Sequence, residues 1–219
     1  MSDQLRWLKL EGPVRCADGN WGKLRDLVVD PERSSVTHLV VEPGAAPASA
    51  RIVSIEMVRS APSKPALTLA CTIAETESLP LAEVLAYSRE GRLSSDDPNW
   101  DVGAADPIEM PNPNGGPFID YSPEADPRIM MSYDRVPKGT VEIRQMSSVN
   151  TADGHIAGRL EGVIVNGPQI SHILVRRGSL WRRREIAVPI QAVAEIATDE
   201  VSLTVSRREL RTETPAPVS

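Results

Sequence analysis

The sequence predicts an all-β protein: two small antiparallel barrels joined by an acidic, proline-rich linker, with short helical pieces. Three observations carry this. One motif-rich stretch occurs twice, and a repeat constrains the fold more than any local signal does. The segments around each copy are short, closely spaced and half polar, which is the pattern of half-buried strands. Nineteen prolines and fourteen glycines among 219 residues break up long helices.

The first copy runs Ala17-Asp18-Gly19-Asn20-Trp21-Gly22-Lys23-Leu24-Arg25-Asp26-Leu27-Val28-Val29-Asp30, then Val36-Thr37-His38-Leu39-Val40-Val41. The second runs Ala152-Asp153-Gly154-His155-Ile156-Ala157-Gly158-Arg159-Leu160-Glu161-Gly162-Val163-Ile164-Val165-Asn166, then Ile170-Ser171-His172-Ile173-Leu174-Val175. Asp18-Gly19 and Asp153-Gly154 read as tight turns, because Gly accepts positive φ and Asp bonds nearby backbone. Gly22 and Gly158 mark a bulge or a close backbone approach at the start of a strand. Leu27-Val28-Val29 and Val163-Ile164-Val165 are β-branched strand centres, and turns at 31–35 and 167–168 lead into the next strand.

In chain order, Leu5, Trp7, Leu8 and Leu10 form a short apolar opening that reads as a first strand or an amphipathic lead-in. Val14-Arg15-Cys16 enters the Asp-Gly turn. Arg51-Ile52-Val53-Ser54-Ile55 resumes a strand after the loop at 42–49, and Glu185 to Ile190 is its counterpart. Ala66 to Ala70 and Val201 to Val205 alternate as final strands, with Leu67 and Leu69 on one face as are Val201, Leu203 and Val205. A short helix is expected after Pro80, with Leu81, Val84 and Leu85 on one face, and a similar turn at 206–211. The domains expected are 1–87, a barrel with a short C-terminal helix; 88–137, the linker; 138–211, the second barrel; and 212–219, a disordered tail.

The linker carries eight prolines and the whole charge excess: segments 1–87, 88–137 and 138–219 have net charges of −2, −6 and +2. Its composition does not bury enough apolar surface to offset ordering, although Trp100, Phe118, Ile119, Tyr121, Ile129 and Met130 are expected to dock on the chain itself. The near-neutral remainder argues against electrostatic capture of nucleic acid by the whole protein. Cys16 and Cys71 both fall in the first copy, lack CxxC spacing and read as buried thiols of a reducing compartment. No apolar run approaches membrane-spanning length and no signal pattern opens the chain, so a cytoplasmic protein without an integral membrane segment is expected.

Chemistry is sparse. His38 and His172 share one repeat position, and His155 lies in a turn; none has metal-ligand spacing around it. Asp18, Asp26 and Asp30 invite a paired-carboxylate reading, but alternation puts Asp26 at a solvated or turn position, and nothing nearby tunes it for acid–base work. P-loop, GxGxxG, GxSxG and HxxxH patterns are absent. No catalytic residue, metal or cofactor is therefore expected. The distinctive charged feature is the hairpin with Arg176, Arg177, Trp181, Arg182, Arg183 and Arg184, which suits phosphate gripping and base stacking or clasping of the acidic linker, with a solvated hairpin tip as the ordinary outcome.

With Gly22-Lys23-Leu24-Arg25-Asp26-Leu27-Val28-Val29-Asp30 in view, the chain resembles the PRC-barrel family. The second copy departs from its acidic pair at Gly162 and Asn166, but Val188-Pro189-Ile190 fits its hydrophobic-Pro-hydrophobic ending. The fold-defining turns carrying the resemblance are Asp18, Gly19, Gly22, Asp153, Gly154 and Gly158. The family includes the cytoplasmic domain of the photosynthetic reaction-centre H subunit and the C-terminal half of a ribosome-maturation factor. The resemblance implies a docking and scaffolding module without catalytic residues. The expected function is a non-enzymatic adaptor with a protein partner, homo-oligomers included. The alternatives are an RNA- or ribosome-associated maturation factor using the arginine hairpin, and a peripheral component of a photosynthetic electron-transfer complex.

Overall fold

The computed structural model describes residues 5–44, 49–59, 66–88, 99–107, 129–178 and 184–211. The chain divides into two compact units, Met1–Ala82 with Gly139–Ser219, and Glu83–Lys138. Most of the described chain is β, as the alternation predicts.

The first half supplies β1 (Leu5–Lys9), β2 (Pro13–Cys16), β3 (Gly19–Asp30), β4 (Ser35–Pro43), β5 (Arg51–Ser54), β6 (Val58–Arg59), β7 (Leu67–Leu69) and a one-turn helix α1 (Ile73–Thr76). The intervening unit has β8 (Glu83–Ser88), β9 (Trp100–Pro107) and β10 (Ile129–Pro137). The second half supplies β11 (Val141–Ile143), β12 (Ser148–Asn150), β13 (Ile156–Asn166), β14 (Gln169–Arg177), β15 (Arg184–Pro189), β16 (Val193–Ile196) and β17 (Glu200–Leu203).

The two halves have one topology. Strands run β6-β7-β2-β3-β4-β5 in the first and β16-β17-β12-β13-β14-β15 in the second. Each has one parallel pair, β2 with β7 and β12 with β17. Each breaks register at the predicted bulge, before Gly22 and before Gly158, and twice more along β3–β4 and β13–β14 respectively. Glycine is required there on the opposite side: a Cβ on Gly22 would collide with the Glu42 carbonyl of β4, and one on Gly158 with the Arg176 carbonyl of β14.

The repeat predicts two separate barrels, whereas the halves exchange a strand. β1 of the first half pairs with β13 of the second, placing Leu8 opposite Val163 and Trp7 opposite Ile164. β11 of the second half pairs with β3 of the first, placing Ile143 opposite Leu27 and Glu142 opposite Val28. The β3–β4 and β13–β14 hairpin ends also meet, with the Val36 N–H donating to the Pro168 carbonyl (2.8 Å) and the Ile170 N–H to the Ser34 carbonyl (2.9 Å). Among the described residues fourteen strands therefore form one open sheet. A largely aliphatic cluster runs through it, from Leu8, Leu27 and Leu39 to Leu160, Ile173 and Leu210, and a small second one joins Ile164 and Leu174 with Trp7 and Ala187. Burying a Leu or Ile side chain is worth about 1.5–3 kcal/mol, so this shared core, poor in aromatics, binds the halves together.

Two further expectations change. The helix lies at Ile73–Thr76, ahead of Pro80; Pro80 to Leu85 is extended, and Glu83–Ser88 is a strand. Thr72 explains the shift. Its hydroxyl accepts from the Glu75 N–H while the Glu75 carboxylate accepts from the Thr72 N–H, a capping box that fixes where the turn begins. The stretch 88–137 is no bare spacer: in its own unit β10 pairs antiparallel with β8 and with β9. There the Arg135 guanidinium sits 4.6 Å from the Trp100 ring centre. Phe118, Ile119 and Tyr121 lie outside the described residues, as does the tail 212–219.

Candidate functional site

The sequence singles out carboxylates first, and the fold uses them structurally. Asp18 and Asp153 do the same work in the two halves. Asp18 Oδ1 accepts from the Ile73 N–H (2.9 Å) and Asp153 Oδ1 from the Arg207 N–H (3.1 Å), each tying the Asp-Gly turn to the final helical turn of its repeat. Thr72 with Glu75 and Ser206 with Glu209 cap those turns alike. Hydrogen bonds from these caps hold the Glu75 and Glu209 carboxyls below the usual range; the Thr151 hydroxyl does so for Asp153. Gly154 takes a φ of +75° in its turn, whereas Gly19 opens β3 without positive φ and Gly22 and Gly158 lie within β3 and β13.

Asp26 departs from the solvated position that alternation predicts. It is buried at 5 % exposure, 2.6 Å from Arg25 Nε, and accepts from the Gln145 N–H of the other half at 2.9 Å. Its counterpart is Gly162, where any side chain would strike the Leu8 carbonyl of exchanged β1. The loss of the acidic pair in the second copy thus has a physical reason. One repeat holds the incoming strand with a carboxylate, and the other lets its backbone approach. Asp30 holds its own turn, accepting from the Arg33 N–H at 3.0 Å.

His38 and His172 do occupy one repeat position, opposite Val28 and Ile164 respectively, and both are half-buried. Burial pushes the His38 imidazole below its ordinary value, against an opposing pull from Glu56. His155 is exposed in its turn beside the Asp153 carbonyl. Among the described residues no group of three or more His, Cys, Asp or Glu side chains converges in metal-binding fashion. No helix among them is long and apolar enough to cross a membrane.

Of the arginine hairpin, Trp181, Arg182 and Arg183 lie outside the described residues. Arg176 and Arg177 are engaged within the chain. Arg176 Nη1 is 3.1 Å from Glu161 Oε1, and Arg177 Nη1 donates to the Leu210 carbonyl at 3.4 Å. Arg184 is exposed at the start of β15. Sequence reasoning missed the cluster that Arg176 joins: Lys9 of exchanged β1 lies 2.7 Å from Glu185 Oε2 and 3.9 Å from Glu161 Oε2. Burial, then the hydrogen bond with Glu185, pushes the Glu161 carboxyl up, with Arg176 and Lys9 opposing. No local motif signals this cluster, because Lys9 arrives only through the exchange.

Edge strands were missed too. In the first half the outer edge of β5 is covered by its own chain: the Ile52 N–H donates to the Pro80 carbonyl (2.9 Å) and the Ala82 N–H to the Ala50 carbonyl (2.9 Å). Among the described residues the equivalent strand β15 pairs with β14 alone. Register equates Ala187 with Ile52, since Ala187 faces Leu174 as Ile52 faces Val40. Compared with known proteins, the chain matches no family model and no curated protein.

Proposed function

We propose that the protein is a non-catalytic, cytoplasmic scaffold of PRC-barrel-like architecture that docks another protein. The observation that carries this reading is the edge of β15. Its equivalent in the first half takes up an extended segment, so the geometry of strand addition is already built into this fold. Main-chain hydrogen bonds supply the affinity in such docking and flanking side chains supply the choice of partner. Arg184, exposed at the start of β15, favours an acidic extended segment. The commitment of Asp18, Asp26 and Asp153 to turns and strand docking leaves them no part in acid–base chemistry, which supports the non-enzymatic reading.

The test is a photo-crosslinking amino acid at position 185 of the full chain in its native host. One defined protein is expected to attach there and to be lost on Ala187→Pro, which removes the outward donor. Attachment only to the chain's own residues 212–219 would sink the reading. So would tight, salt-steep RNA binding at about 150 mM salt, lost on Arg182→Ala/Arg183→Ala/Arg184→Ala, which belongs to the maturation-factor alternative.

A further inference from the structure

Cys16 and Cys71 have no part in the scaffold reading, yet the fold brings them together. Cys16 ends β2 and Cys71 follows β7, the parallel neighbours in which Val14 faces Leu67 and Arg15 faces Thr68. The Ala17 N–H donates to the Cys71 carbonyl at 2.9 Å, which fixes the two backbones at this point. Both thiols are free and buried, at 4 % and 6 % exposure, and both belong to the same core cluster. The Ala17–Cys71 bond brings the two cysteine backbones side by side, and a disulfide there needs a Cα separation of roughly 4.4–6.8 Å.

The second half shows that this geometry does not depend on sulfur. There the Ala152 N–H donates to the Val205 carbonyl at 3.0 Å, and the residues in the cysteine positions are Thr151 and Val205. The Thr151 hydroxyl accepts from the His155 N–H at 3.2 Å, a local turn bond that a thiol replaces poorly. Ordinary side chains thus fill the same two places. The first half instead carries a sulfur in each.

We propose that Cys16 and Cys71 form a disulfide when the folded protein meets a peroxide, and that this bond locks the first half of the sheet. The Cys71 sulfur attacks one peroxide oxygen; the O–O bond breaks, the thiol proton leaves with the departing oxygen as water, and Cys71 becomes a sulfenic acid. The Cys16 sulfur then displaces that hydroxyl, its own proton leaving in a second water, and the S–S bond forms. Two thiols are oxidised, one peroxide is reduced, and a dithiol reverses the outcome. Burial, then the neighbouring Cys71, pushes the Cys16 thiol up to about 12, which suits it to the second step rather than the first. The bond closes a loop of roughly 55 residues that contains β3 to β7, and so restricts the unfolded chain substantially.

The experiment treats the native full chain with hydrogen peroxide, blocks the remaining thiols by alkylation, and maps peptides by mass spectrometry. The expected product is an unalkylated monomer lighter by two hydrogens, in which the peptides holding Cys16 and Cys71 are joined. Its Tm rises by about 5–15 °C and falls back on dithiol treatment. The paired variant Cys16→Thr/Cys71→Val, which copies Thr151 and Val205, is expected to keep the Tm of the reduced protein and to gain nothing from peroxide. Thiols that stay free or pass to sulfinic acid without joining would overturn the proposal. Linkage that forms only between chains, only in denaturant, or without a rise in Tm would do the same.

Discussion

The backbone N–H of Gln145 donates to Asp26 Oδ1 at 2.9 Å, joining positions 119 residues apart and pinning the strand that the second half inserts into the first. Arg25 Nε, 2.6 Å from Asp26 Oδ2, balances the buried charge. Asp26→Ala therefore leaves the buried Gln145 N–H without its acceptor and takes one carboxylate contact from Arg25, at a cost of about 2–4 kcal/mol in urea unfolding. Asp26→Asn keeps one oxygen for the Gln145 N–H and is expected to lose less. An Asp26→Ala protein within about 0.5 kcal/mol of the parent would show that the contact holds nothing.

Strand exchange has a consequence for dissection. Residues 1–82 lack β11, which covers Leu27 and Val29, and residues 139–219 lack β1, which covers Val163 and Val165. Each fragment alone leaves a long central strand with an open edge and uncovered core side chains. We expect neither to give a dispersed amide NMR spectrum as a monomer, and the mixture of both to recover one. The sequence, read as two independent domains, predicts the opposite, and a folded monomeric fragment would restore that reading.

Gly22 and Gly158 supply a matched pair of substitutions. Alanine at either drives a Cβ into a carbonyl of the neighbouring strand, of Glu42 or Arg176, and the backbone must move to relieve it. The expected loss is about 2–4 kcal/mol at each site, as for other strained or overpacked positions. Gly154→Ala is the comparison. Its φ of +75° is unfavourable for alanine, but nothing lies within 4 Å, so only about 1 kcal/mol is at stake. Equal losses at the three positions would dismiss the close-approach explanation for the motif.

These glycines also show what was legible in the sequence. Gly22 and Gly158 recur because a short-range steric demand acts at each, and such demands leave a mark at a fixed spacing. The Asp-Gly turns and the capping residues Thr72, Glu75, Ser206 and Glu209 are local in the same sense. The exchange is not local. Leu5–Lys9 and Val141–Ile143 are too short to name their partners, and Trp7 stands where the other repeat has Glu142. The cluster of Lys9, Glu161, Arg176 and Glu185 was hidden for that reason: four strands have to be paired correctly before the charges meet. Asp26 was misread because alternation assigns a face without saying what covers it.

His38 sets the sign of a pH effect. Burial lowers its folded pKa below the ordinary histidine value, so in the window beneath about 6.5 the unfolded chain binds more protons than the folded one. Stability contributed by the neutral imidazole is then present at neutral pH and lost as pH falls below that value towards the folded pKa. The Glu56 carboxylate pulls the other way and makes the loss smaller than burial alone would. Tm measured at pH 7.5 and at pH 5.5 is expected to fall more for the parent than for His38→Gln, which has no proton to gain. Glu161, whose folded pKa is raised, acts oppositely, because its protonation on acidification favours the folded state. The difference between parent and variant cancels that contribution. A His38→Gln protein with the parent's full acid sensitivity would mean that the imidazole is not what responds.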